Sequence, residues 1–182
     1  MRCTQRLGGS NVGAMPPHMK GELAAKGLGM STIHDALEPA KDPFDLHRFI
    51  IAQEGAFERA CTELAAGRKD SHWMWFIFPQ IKGLGQSLIS KQFSIGSLAE
   101  AKAYLDNPVL GPRLAKTTAL AMTHADLPLR VLFGEPDDLK YRSSMTLFAA
   151  AAGKDSKYAA AIEEMCGGEP DPKTLNLIEA FP

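Results

Sequence analysis

The densest chemistry in the sequence is Arg68-Lys69-Asp70-Ser71-His72-Trp73, where two cations, a carboxylate, a hydroxyl, an imidazole and an indole follow one another. Cationic forks beside stackable rings suit an anionic, aromatic ligand such as a nucleotide. Arg68 and Lys69 would hold phosphate, Trp73 or Trp75 would stack, and His72 is the acid–base candidate by residue type. Gly83-Leu84-Gly85-Gln86-Ser87 comes next. A glycine-containing turn can bring backbone N–H groups close to an anion, and Ser87 would sit near a helix start. Only G-x-G is present, without the P-loop lysine, so an ordinary turn is the competing reading.

A second constellation, GEPDDLKYRSSMTLF, spans 134–148. Lys140 lies three and four residues before Ser143 and Ser144, so all three share a helix face. A hydroxyl beside a lysine binds phosphate or becomes an activated nucleophile; the alternative is a capped helix with a polar solvent face. Consecutive serines have no helix-propensity advantage, so something else favours them here. The aromatic run Trp73–Phe78 reads equally well as core. Its two tryptophans share a face only if the segment is extended. Arg113 reads as a lone surface cation, and His18, His34, His47 and His124 have no metal-ligand spacing. No H-E-x-x-H, C-x-x-C, G-x-S-x-G or dinucleotide fingerprint occurs, so neither metal nor cofactor is expected.

Helices must position these groups. In 42–66, Leu46, Phe49, Ile50, Gln53, Phe57, Cys61 and Leu64 recur at three- and four-residue spacings, which predicts one continuous helix with Cys61 in its core face. Asp42 or Asp45 can cap it, Pro43 suits its first turn, and Gly67 suits its end. Trp73–Phe78 is a short buried strand or a helical turn. Further helices are expected over 98–105, 108–122, 137–152, 158–166 and 172–180, the last signalled by Asp171-Pro172. Period-two alternation is nearly absent and no repeat is found. The predicted fold class is all-α, a single compact multi-helix domain with a minor extended segment.

The chain has 182 residues, a length for one domain. Residues 1–40, rich in glycine and without a secretory apolar stretch, are expected to be a flexible N-terminal tail, with Met19 or Met30 as alternative starts; 41–182 forms the helical domain. Hydrophobic residues make up 45% and charged residues 23%, with a net charge of −1. That balance argues against binding nucleic acid over the whole surface. No apolar run is long enough to span a membrane. Three scattered cysteines, Cys3, Cys61 and Cys166, fit a reducing cytoplasm and no disulfide framework.

The runs at 67–87, 103–114 (AYLDNPVLGPRL) and 133–148 resemble, in order, a largely bacterial "domain of unknown function" family numbered eighteen-ten, whose members are often labelled calpastatin. The resemblance covers roughly 43–180 and implies an all-α globular fold; it carries no established activity. True calpastatin-type inhibitors are disordered and repetitive, which this chain is not, so calpain inhibition is not expected. A looser similarity, through Phe49, Ala52, Gln53, Gly67 and Arg68, is to the NADAR group of helical enzymes acting on ADP-ribose linkages. Two functions follow. The first is binding, with processing left open, of a small anionic nucleotide-like ligand such as an ADP-ribose derivative. It requires Arg68, Lys69, His72 and Trp73 to meet Lys140, Ser143 and Ser144 in one cleft. The second is a non-enzymatic protein-interaction module.

Overall fold

In the computed structural model, which describes residues 42–180, the apolar spacing that begins at Leu46 forms two helices, not one. Helix α1 (His47–Gln53) and α2 (Phe57–Ala65) are separated at Gly55. Its φ of +70° lies in the left-handed region, open to glycine and strained for other residues. Asp42 is the carboxylate that anchors the start, accepting from the N–H groups of Leu46 and His47 at 2.8 Å each. At the far end Gly67 N–H donates to Leu64 O and Arg68 N–H to Glu63 O, the paired bonds of a left-handed helix stop. Cys61 is buried in the core, as its place on the apolar face predicts.

The aromatic run becomes one helical turn, α3 (Met74–Ile77), which buries Trp73 and leaves Trp75 half-exposed. The two tryptophans therefore part company. Two short helices escape the periodicity argument, α4 (Leu88–Gln92) and α7 (Leu129–Phe133). Each has five residues, too few for a repeat to show. The remaining elements are α5 (Leu98–Asp106), α6 (Leu110–Met122), α8 (Asp137–Ala152), α9 (Lys157–Met165) and α10 (Pro172–Ala180). Among the described residues the extended segment is a single parallel bridge, Ile81 with Ile95. The tail expected over 1–40 lies outside the described residues, as do Cys3, His18 and His34.

Helix α8 lies at the centre, packed by α3, α5, α7, α9 and α10. Its residues Ser143 to Phe148 are all buried. A helix surrounded on every side cannot be amphipathic, and small hydroxyl residues let neighbours approach closely. The paired serines lie inside this buried stretch and not on a polar solvent face. The core is aromatic, with Phe133 stacked on Tyr141 at 4.6 Å and Phe49 edge-on to Tyr104 at 5.2 Å. Gln53, buried among them, is satisfied by donating Nε2–H to Phe76 O at 2.7 Å and Tyr104 Oη at 3.1 Å. Arg113 corrects the surface reading: it is half-buried, 3.3 Å from Gln53 Oε1 and 5.0 Å from the Phe57 ring centre.

Candidate functional site

The segment after α2 folds around a carboxylate that its own pattern does not flag. Glu63 accepts hydrogen bonds from the N–H groups of Asp70 and Ser71, from Ser71 Oγ at 2.5 Å and from Trp73 Nε1 at 2.8 Å. Burial by itself would raise the Glu63 pKa; these donors outweigh it and hold it down at about 2. Trp73 is thereby fixed as a core residue, 1% exposed with its indole N–H engaged. Arg68 points outward and pairs with Asp70 at 3.1 Å on the open surface. His72 is exposed and makes no hydrogen bond among the described residues.

Lys69 goes elsewhere. Its N–H donates to Leu132 O at 2.7 Å, which turns the side chain toward the start of α8. There Lys69 Nζ lies 2.7 Å from Asp137 Oδ2, while Lys140 Nζ lies 2.5 Å from Asp137 Oδ1. Lys140 also sits over Trp75, 4.9 Å from the ring centre, and Lys69 over Trp73 at 5.2 Å. Burial would raise the Asp137 pKa, but the two ammonium groups lower it. The two candidate stretches thus meet, joined by an internal carboxylate. Ser143 faces away from this knot. Its Oγ–H donates to Asp171 Oδ2 at 2.8 Å, with Leu139 O as the other acceptor in range at 3.0 Å. Ser144 is wholly buried, and its hydroxyl has no hydrogen-bond partner among the described residues.

The glycine loop lines one of the concavities of the domain. Ile95 N–H donates to Gln80 O and Lys82 N–H to Ile95 O, so the loop is pinned at its start. Arg48 pins the opposite wall, donating to Gln92 O and Ser94 O while paired with Glu100 at 2.6 Å. Between them lies a cavity of about 240 Å³, lined by Lys82, Gly83, Gly85, Gln86, Ser90, Lys91 and Ser94. No carboxylate is among its lining residues. Ser87 caps α4 by accepting from Ser90 N–H at 3.2 Å. Gly85 is required by close approach, since a Cβ there would collide with the Ser90 side chain. The N–H groups of Gly83 to Ser87 have no acceptor among the described residues.

Beyond the loop is a second cavity of about 340 Å³, shared by Gln80 and Leu84 with Leu139, Arg142 and Ser143 of α8 and with Asp171 and Lys173. The 67–90 and 134–148 stretches therefore line one concavity, through Gln80, Leu84 and Ser143. Arg68, Lys69, His72 and Trp73 are not among its walls. Sequence reasoning overlooked Lys82, Lys91 and Gln80; the lysines flank the glycine loop on both sides, and that flanking is the signal that could have found them. Arg48 and Glu100, 52 positions apart, carry no such signal. Among the described residues no group of three His, Cys, Asp or Glu side chains could hold a metal ion, and no helix is long and apolar enough to cross a membrane.

Over residues 43–178 the chain matches the family described as protein of unknown function DUF1810. It is also similar to the conserved hypothetical protein Rv1873 from Mycobacterium tuberculosis, known from a crystal structure. The two are 46% identical with a TM-score of 0.74, over 76% of this chain and 99% of that one. No curated protein matches it.

Proposed function

The chain belongs to this family of unknown function, and from that premise we propose that it binds a small phosphate-bearing ligand in the cavity between the glycine loop and α4. One observation carries the reading: Lys82 and Lys91, both exposed, line the same cavity with no carboxylate among the lining residues. Two ammonium groups borne by residues of one wall attract an oxyanion, and no carboxylate of that wall offsets them. Ser90, Ser94 and Gln86 add polar groups to the walls. Nucleotide-like molecules, ADP-ribose derivatives included, are the class to test first.

A thermal-shift panel of inorganic phosphate, pyrophosphate, nucleotides, NAD and ADP-ribose provides that test, with Lys82→Ala and Lys91→Ala beside wild type. A ligand at 100 times its dissociation constant stabilises by about 2.7 kcal/mol, a rise on the order of 5–10 °C for a domain of this size. The rise should shrink or vanish in both variants. A flat response across the panel, in a folded protein, refutes the reading.

The interaction-module alternative has its own support. A shallow groove of about 330 Å³ between α8, α9 and α10 is walled largely by Ala149, Ala150, Ala159, Ile162 and Leu175. Leu175 is 39% exposed at its rim. A flat ligand panel together with retention of a partner that Leu175→Asp releases would favour this second reading.

A further inference from the structure

Two concavities of the described domain lie on either side of the glycine loop. Gly83 and Gly85 line the cavity with the two lysines, whereas Leu84, between them, lines the second cavity together with Gln80. The chemistry on the two sides differs. In the second cavity Asp171 presents a carboxylate, and burial fails to raise its pKa because Thr174 and Ser143 donate to it. Arg142 is already tied to Glu169 O at 2.7 Å and Pro170 O at 3.1 Å. An anion entering there meets a fixed negative charge and a guanidinium that is otherwise engaged. The groups left to face a ligand are the Gln80 amide, the Lys173 ammonium and the outer lone pairs of Asp171, set between the aliphatic side chains of Leu84 and Leu139. Planar amide and carboxylate groups that give and take hydrogen bonds, beside an apolar surface, match a ring whose hydroxyls point outward and whose C–H face is greasy.

Resting on the phosphate reading above, we infer that the ligand is a phosphorylated sugar, its phosphate held by Lys82 and Lys91 and its hydroxylated ring lodged across the loop between Gln80, Leu84, Leu139 and Asp171. The second cavity, of about 340 Å³, is within the range of roughly 300–1,000 Å³ of small-molecule sites.

Calorimetric titrations of the full chain with inorganic phosphate, pyrophosphate, ribose 5-phosphate and ADP-ribose test this, comparing wild type with Gln80→Ala and Leu84→Trp. The sugar phosphates should bind at least 10-fold more tightly than the bare anions. Gln80→Ala and the cavity-filling Leu84→Trp should erase most of that gain while leaving phosphate and pyrophosphate affinity within about 2-fold of wild type. Unfolding midpoints of both variants without ligand confirm that they remain folded. Equal affinity for bare and sugar-linked phosphate overturns the inference and leaves the phosphate site standing, as does a Gln80→Ala effect of equal size on every probe. Absence of binding by all four probes overturns both.

Discussion

Replacing Ser144 by alanine should make the protein more stable, against the usual direction for core substitutions. The Ser144 hydroxyl is wholly buried in the central helix and has no hydrogen-bond partner among the described residues, not even the carbonyl of Lys140 one turn earlier. A buried polar group without a partner costs about 1–3 kcal/mol relative to its solvated state. Alanine adds a helix-propensity gain of about 0.5 kcal/mol over serine. Against these stands the small void left by one oxygen, worth a few tenths of a kcal/mol. The balance is a gain of about 1–2 kcal/mol, or roughly 3–6 °C in the unfolding midpoint for a domain of this size. Scanning calorimetry and urea unfolding, read at an unchanged m-value, would measure it. A destabilised Ser144→Ala protein would refute the reasoning, because it would mean that the hydroxyl has a partner which the folded chain keeps.

Glu63 supplies a pH test. Its folded pKa of about 2 lies below the ordinary 4.5, so its contribution is complete above pH 4.5 and is lost as pH falls from there toward 2. Glu63→Gln should cost about 2 kcal/mol at pH 7 and flatten the fall in urea midpoint over that window; an unchanged slope would exclude Glu63 as its source. Asp137→Asn leaves Lys69, with 9% of its side chain exposed, facing Lys140 without a carboxylate, and should destabilise by about 2–3 kcal/mol in thermal unfolding. Asp171 caps α10 by accepting from Thr174 N–H and Thr174 Oγ1 and ties it to Ser143. Losing a cap of about 1 kcal/mol, Asp171→Ala should speed amide exchange in α10 by roughly 5-fold while α8 stays protected.

Helix existence was legible because it depends on local signals. Asp171-Pro172 does open α10, and the 137–152 stretch is α8 to the residue. The break at Gly55 was missed because the apolar spacing continues across it: Gln53 and Phe57 keep the four-residue step while the backbone turns between them. The site was harder to read. Adjacent cations drew attention to 68–73, yet Arg68 faces solvent and Lys69 crosses to Asp137. Glu63, seven positions before Asp70, decides that arrangement, and Glu100, 52 positions after Arg48, fixes a wall of the loop cavity. Partners separated in this way are set by packing, which no local pattern encodes.

The division between structural and ligand-facing lysines follows from charge and can be tested by it. At a separation near 4 Å and an effective dielectric of about 20, two unit charges interact by about 4 kcal/mol. A phosphate approaching Lys69 or Lys140 would meet Asp137 at a comparable distance, and the repulsion would cancel the attraction of one of the two ammonium groups. No such carboxylate lines the cavity that holds Lys82 and Lys91. Lys69→Ala should therefore lower the unfolding midpoint, by stripping Asp137 of one partner in a half-buried setting, and leave pyrophosphate affinity unaltered. Lys91→Ala should do the reverse, weakening pyrophosphate several-fold and reducing the salt dependence of binding while leaving the unfolding midpoint near wild type. If both substitutions acted on affinity alike, or if Lys91→Ala unfolded the domain, the assignment of the two lysine pairs to separate roles would be wrong.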